Sequence, residues 1–90
     1  MFLVVYDISS NKLRAAFAKY LNRYGRRLQF SVFEVANSPR ILDNIRMEIK
    51  TSFEQKFTQA DSILIIRVPD NAVIDRFGYA ANEESDLLMM

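Results

Sequence analysis

The 90 residues include no cysteine, no histidine and no tryptophan, and only two glycines and two prolines. Without cysteine there is no disulfide, no thiolate nucleophile and no zinc–thiolate centre. Without histidine, the usual zinc ligand and the usual general base near neutral pH are missing as well. Any metal bound here is a hard ion held by oxygen. Apolar runs are far too short to cross a bilayer, and Met1 leads into an apolar strand with no charged leader region. The expectation is a soluble cytoplasmic protein without a membrane partner. There is also no glycine-rich phosphate loop, no internal repeat and no nucleophile–base pair.

Half of the residues are hydrophobic. A chain of this length builds one domain with one core, and burying a further face in a dimer would help it. Its net charge of +1 conceals an asymmetry. Up to Lys56 there are ten cations against five carboxylates, net +5; from Phe57 onward there are two against six, net −4. Eight of the twelve cations are arginine, whose planar fork suits phosphate. A solvated helix face is the plainer reading of the same charges.

The chain is organised around Met1-Phe2-Leu3-Val4-Val5-Tyr6-Asp7, an apolar, partly β-branched run that reads as a strand buried on both faces and stops at a carboxylate. Ser9, Ser10 and Asn11 follow, all good helix N-caps, so Asp7 sits in a tight strand-to-helix junction. Such a carboxylate serves either chemistry or the junction itself. A first helix is expected from Asn11 to Tyr24, with Leu13, Phe17, Tyr20, Leu21 and Tyr24 on one face and Lys12, Arg14, Lys19 and Arg23 outside. Gly25 stands where a terminating glycine belongs.

Arg26 to Ala36 alternates with period two and reads as strand; bulky groups of both parities at its far end suggest that a partner subunit covers Phe33. Ser38 and Pro39 then open a second helix, whose stripe Ile41, Leu42, Ile45, Ile49 and Phe53 runs to about Lys56. Asp61-Ser62 introduces Ile63 to Val68, a run expected to be a central buried strand, and Pro69-Asp70-Asn71 turns it. Val73, Ile74 and Phe77 mark a weaker last strand ending at Gly78. Residues 1–78 thus form the domain, and 79–90 an acidic tail with an apolar tip, Leu87 to Met90. The order of elements is that of an α+β, ferredoxin-like βαββαβ fold with two helices on one face of an antiparallel sheet, although only about ten residues are available for the two middle strands.

Several of these pieces together resemble a known family. Val5-Tyr6-Asp7-Ile8 closing the first strand, Tyr24-Gly25-Arg26 leading into Gln29-Phe30-Ser31-Val32-Phe33-Glu34, Asp61-Ser62-Ile63 and a late Gly78 are similar to the small CRISPR-associated spacer-acquisition protein, the non-integrase partner of the CRISPR integrase. The resemblance implies a ferredoxin-like fold with a bent double strand in the middle and a symmetric homodimer. It implies a last strand, Val73 to Phe77, added to the mate's sheet, and contacts through Ser31, Phe33, Val73, Ile74 and Phe77. It further implies a dimer that bridges integrase dimers along a protospacer DNA duplex. Some members are described as metal-dependent endonucleases acting on RNA or duplex DNA, which would make Asp7 a catalytic residue and metal ligand.

Physical chemistry separates these roles. Phosphodiester hydrolysis without histidine needs a metal, and one carboxylate holds Mg²⁺ or Mn²⁺ weakly, so at most one ion shared between two Asp7 residues across a two-fold axis is expected. Scaffolding asks only for cations repeated by symmetry and phosphate contacts without base readout. Lys12 and Arg14 are the first candidates for those contacts, followed by Arg26, Arg27, Arg67 and Arg76. The expectation is a DNA-binding scaffold. The alternatives are a Mg²⁺-dependent nuclease cleaving RNA, single-stranded RNA included, or DNA through Asp7, and a non-catalytic antitoxin-like module.

Overall fold

The apolar run at the start of the chain becomes the inner strand of a four-stranded antiparallel sheet in the computed structural model, which describes residues 1–78. In chain order the elements are β1 (Phe2–Asp7), α1 (Asn11–Leu21), β2 (Gly25–Gln29), β3 (Val32–Val35), α2 (Pro39–Glu48) and β4 (Ser62–Arg67). The sheet order is β2-β3-β1-β4, so the first and last strands are neighbours. This is the ferredoxin-like α+β arrangement that the element order suggests.

Period-two alternation sets the two faces of the sheet. Phe2, Val4 and Tyr6 of β1 and Phe33 and Val35 of β3 point into the core with α1 and α2. Phe17 of α1 is the centre: it is wholly buried, and its ring meets Tyr6 at 5.2 Å and Phe53 at 4.9 Å, both edge to face. Leu21, Ile45 and Ile8 close around this aromatic group. The helices start where the caps say. Ser10 Oγ accepts from the Leu13 N–H at 3.1 Å, and Ser38 Oγ accepts from the Ile41 N–H at 3.4 Å, with Pro39 at the first helical position.

Five expectations need correction. The first helix ends at Leu21 because Arg23 and Tyr24 donate to Tyr20 and Leu21, a tighter pattern than the α-helix. Gly25 is not a left-handed terminator but the first residue of β2; a Cβ there would lie 2.0 Å from the Glu34 carbonyl oxygen, so only glycine allows the two strands to approach. The second helix changes pitch after Glu48: a π-helical turn spans Ile49–Phe53 and a 3-10 turn spans Glu54–Lys56. The wider turn brings Phe53 inward against Phe17.

The fourth correction concerns burial. β4 lies at the sheet edge instead of its centre, with Leu64 59% and Ile66 44% exposed, and β1 is fully buried on its helix side alone. A continuous apolar run arises here because Ile63 and Ile65 pack on the core while Leu64 and Ile66 lie on the face away from the helices. The fifth concerns residues 72–77, which form no strand within the single chain and leave Val73, Ile74 and Phe77 exposed. The expected tail from 79 to 90 lies outside the described residues.

Arg26 to Ala36 resolves into two short strands, β2 and β3, joined at Phe30-Ser31, with a register shift between Arg27 and Gln29. That reversal turns Phe33 inward. Its ring is fully buried by its own chain, so Phe33 is a core residue and not part of a subunit interface.

Candidate nucleic-acid and metal site

Asp7 ends β1 opposite Ser62 of β4, exposed and on the same strand parity as Leu3 and Val5, which face away from the helices. The junction behind it is held tightly. Ile8 is buried, and its carbonyl accepts from Arg14 Nη1 at 2.9 Å. Ser9 gives both its N–H, at 2.8 Å, and its hydroxyl, at 2.9 Å, to Asp61 Oδ1. The other oxygen, Oδ2, accepts from the Thr58 N–H at 2.8 Å and the Thr58 hydroxyl at 3.3 Å. Hydrogen bonds from the two backbone N–H groups, helped by the hydroxyls, hold the Asp61 carboxyl below the ordinary carboxylate range. Asp61 thereby clips the turn before α1 to the turn before β4, on either side of Asp7.

This clip also decides what a metal can find here. Both Asp61 oxygens are engaged, and among the described residues no group of three carboxylates gathers at any point. Mg²⁺ takes about six oxygen ligands. Among the described residues of one protomer, Asp7 at the end of β1 has no cluster of carboxylates around it to complete such a shell.

The sequence-selected cations fall into separate places. Lys12, exposed on the first turn of α1, shares a groove with Lys56. Arg14 and Arg27 line one cavity with Tyr6 and Phe30. Arg26 is exposed on β2, in register with Glu34. Arg67 ends β4 opposite Phe2, at the far end of the sheet from Asp7, in a cleft with Arg46 and Asp43. Arg76 is exposed in the irregular segment after β4. Of the interface candidates, Ser31 is half-buried in the β2–β3 turn, where its carbonyl accepts from the Tyr6 N–H at 3.1 Å.

Sequence reasoning missed Asp61 as the clip, and Lys56, Arg46 and Phe30 as neighbours of the chosen cations. Asp61 did carry a signal: Thr58 three residues before it is the spacing of a side chain capping its own turn. Lys56 and Arg46 carried none, since Arg46 meets Arg67 only through the packing of α2 on the sheet and Lys56 meets Lys12 only because the 3-10 turn lies beside the start of α1.

Comparison with known proteins decides the family. The family model described as CRISPR associated protein Cas2 matches residues 1–75. The chain belongs to that family. Over 48 residues it is 42% identical to a protein named CRISPR-associated endoribonuclease Cas2 4 of Rhodospirillum rubrum, covering 53% of this chain and 39% of that one. Over 46 residues it is 39% identical to CRISPR-associated endonuclease Cas2 2 of Thermus thermophilus, covering 51% of each. These matches thus span about half of the relatives' length or less. Among solved structures, a hypothetical protein from Thermus thermophilus superposes with TM-score 0.74 at 28% identity, covering 88% of this chain and 90% of that one. Streptococcus pyogenes Cas2 superposes with TM-score 0.66 at 29% identity over 78% of this chain and 87% of its own. Membership of the Cas2 family makes this a CRISPR-associated chain, and among the described residues no helix is long and apolar enough to cross a membrane.

Proposed function

We propose that the chain serves CRISPR spacer acquisition as a homodimeric scaffold that grips duplex DNA by its phosphates and holds the integrase subunits in register. The observation that carries this reading is an imbalance of supply. Cations are spread over several surfaces, and the described residues contain a single ion pair, Arg46 with Asp43 at 3.4 Å, while the carboxylate needed for chemistry stands alone. Scattered cations suit phosphate contacts made without base readout, and affinity of that kind falls steeply with salt. Lys12, Arg14, Arg26, Arg27, Arg67 and Arg76 are the proposed contacts.

The dimer reading is supported by the face of the sheet away from the helices. Leu3, Val5, Val32, Leu64 and Ile66 lie on it by strand parity, and Leu64 and Ile66 are the most exposed of them. A second copy covers such a face symmetrically, and the exposed Val73, Ile74 and Phe77 supply further apolar contact.

A second reading is a nuclease, favoured by the names endoribonuclease and endonuclease that the two relatives bear. Asp7 shares its strand parity with the apolar face, so a two-fold axis there brings two Asp7 carboxylates toward one Mg²⁺ or Mn²⁺ ion. When bound, such an ion supplies charge neutralisation and an acidified water. The deciding experiment is reconstituted spacer integration with the partner integrase, comparing wild type with Asp7→Asn after both are shown to be dimers of equal duplex affinity. Undiminished integration is expected; collapse of integration with dimer and duplex binding intact would establish the metal reading instead.

A further inference from the structure

Two clefts on the helix side of β4 run into each other. The first, of about 340 Å³, lies between the start of α2 and the end of β4, with Phe2, Leu42, Arg46, Ile65 and Arg67 among its walls. The second, of about 320 Å³, continues along the same strand between Arg46, Ile49, Lys50, Ile63 and Ile65. Arg46 and Ile65 line both, so the two form one groove between the edge strand and the second helix with its π-helical turn. Ile63, Ile65 and Arg67 reach it by strand parity, in register with Tyr6, Val4 and Phe2. Leu64 and Ile66 have the other parity, so the groove is separate from the face proposed for dimerisation.

The chemistry of the groove changes along its length. At the Arg67 end two exposed guanidiniums, Arg46 and Arg67, stand over the buried Phe2 and Leu42. At the other end the half-buried Ile49, Ile63 and Ile65 make an apolar floor beside the exposed Lys50. Two carboxylates also line it: Asp43, 3.4 Å from Arg46, and Glu54 at the far end. The Asp43–Arg46 pair is 74% and 58% exposed, so water screens it and another anion can replace it at little cost. Three cations against two carboxylates leave a positive surplus.

The chain carries the complement in the same order. Residues 79–90 contain Glu83, Glu84 and Asp86 and no cation, and Leu87-Leu88-Met89-Met90 follows directly. The chain leaves β4 at the Arg67 end, where the Val68 N–H donates to the Met1 carbonyl at 2.9 Å, and it turns at Pro69 to Ala72. A segment returning antiparallel to β4 from that end meets the arginines first and the isoleucines second. The twelve residues after Gly78 reach roughly 40 Å when extended, more than the 34 Å of the molecule's longest axis.

We propose that residues 83–90 dock in this groove of their own protomer, with the carboxylates on Arg46 and Arg67 and Leu87 and Leu88 on Ile49, Ile63 and Ile65. The docked segment withholds both arginines from other anions. Tethering gives it an effective concentration in the millimolar range, so even weak contacts keep the groove filled. A partner segment with the same acid-then-apolar chemistry enters only by displacing it.

The test is nuclear magnetic resonance on the full chain. With no native cysteine, Ser85→Cys carries a single spin label between the acidic and apolar parts. The amides of Arg46, Ile49, Ile63 and Ile65 are expected to lose most of their intensity, while that of Phe30, at the opposite edge and opposite end of the sheet, keeps its own. Adding Leu87→Ser with Leu88→Ser, outside the described fold, is expected to restore the lost intensity, as is Arg46→Gln with Arg67→Gln, and high salt weakens the effect. Full intensity at the groove overturns the proposal, as does a loss that the Leu87 and Leu88 substitutions leave unchanged. In a second sample the spin-labelled chain carries no isotope and is mixed with an isotope-labelled chain lacking cysteine. Loss of the groove signals there assigns the groove to a second copy's segment and overturns docking within one protomer; sharp signals support it.

Discussion

Asp61 shows how much one side chain at a junction can do. Its carboxylate accepts four hydrogen bonds, from Ser9 and Thr58, and these depress its pKa in the folded state. A depressed value in the fold means that the unfolded chain binds the proton more readily. The stabilisation is therefore complete above the ordinary carboxylate value of about 4 and is lost as pH falls through the lower folded value. Asp61→Ala is expected to lower Tm at pH 7 and to lose most of that difference at strongly acid pH, which parallel thermal melts will show. Gly25 gives a second case. With a Cβ 2.0 Å from the Glu34 carbonyl, Gly25→Ala forces β2 and β3 apart, and a loss of about 3 kcal/mol in urea unfolding is expected. Neither role was legible in the chain: Gly25 follows a helix and looks like its terminator, and the partners of Asp61 include a serine far from it in sequence. Asp7 at a strand end was legible, because an apolar β-branched run that meets a carboxylate and then a row of capping residues has few other solutions.

Among the elements, α1 and α2 were readable because each pairs a cap with a stripe of period near 3.6, which is a redundant signal. Strands were harder. Nothing in Phe30-Ser31 announces a reversal, since the turn lacks the glycine or asparagine that would mark it, and the division into β2 and β3 came from the family resemblance. The edge position of β4 was hidden for a different reason: four consecutive apolar residues, Ile63 to Ile66, look the same whether helices or a second copy cover their outer parity. The change of pitch after Glu48 left no trace in the stripe, whose spacing of four from Ile45 to Ile49 and on to Phe53 continues through it. Phe17 carries the packing between α1, the sheet and the π-helical turn, so Phe17→Ala is expected to cost about 3–5 kcal/mol in urea unfolding, enough to leave much of a small domain unfolded.

At the scale of the whole molecule, the helix face of the sheet is closed and the other face is open. Leu64→Asp places a charge in the middle of that open face at a side chain already 59% exposed, so the protomer is expected to fold while its dimer weakens by at least tenfold. Sedimentation across a concentration series measures this, with circular dichroism as the check on folding. A dimer of unchanged strength would assign the interface to another surface.

The sheet order also governs how the chain reaches this state. β1 lies between β3 and β4, and its longer ladder, six registered pairs, is with the last of the four described strands. Pairing elements so far apart closes a large loop before any contact repays the entropy, and such topologies fold slowly. Until Ser62–Arg67 docks, β1 presents a bare hydrogen-bonding edge flanked by Leu3 and Val5. The interval before β4 arrives is thus when one nascent copy is most open to mispairing with another, and a slow synthesis of that last strand lengthens it.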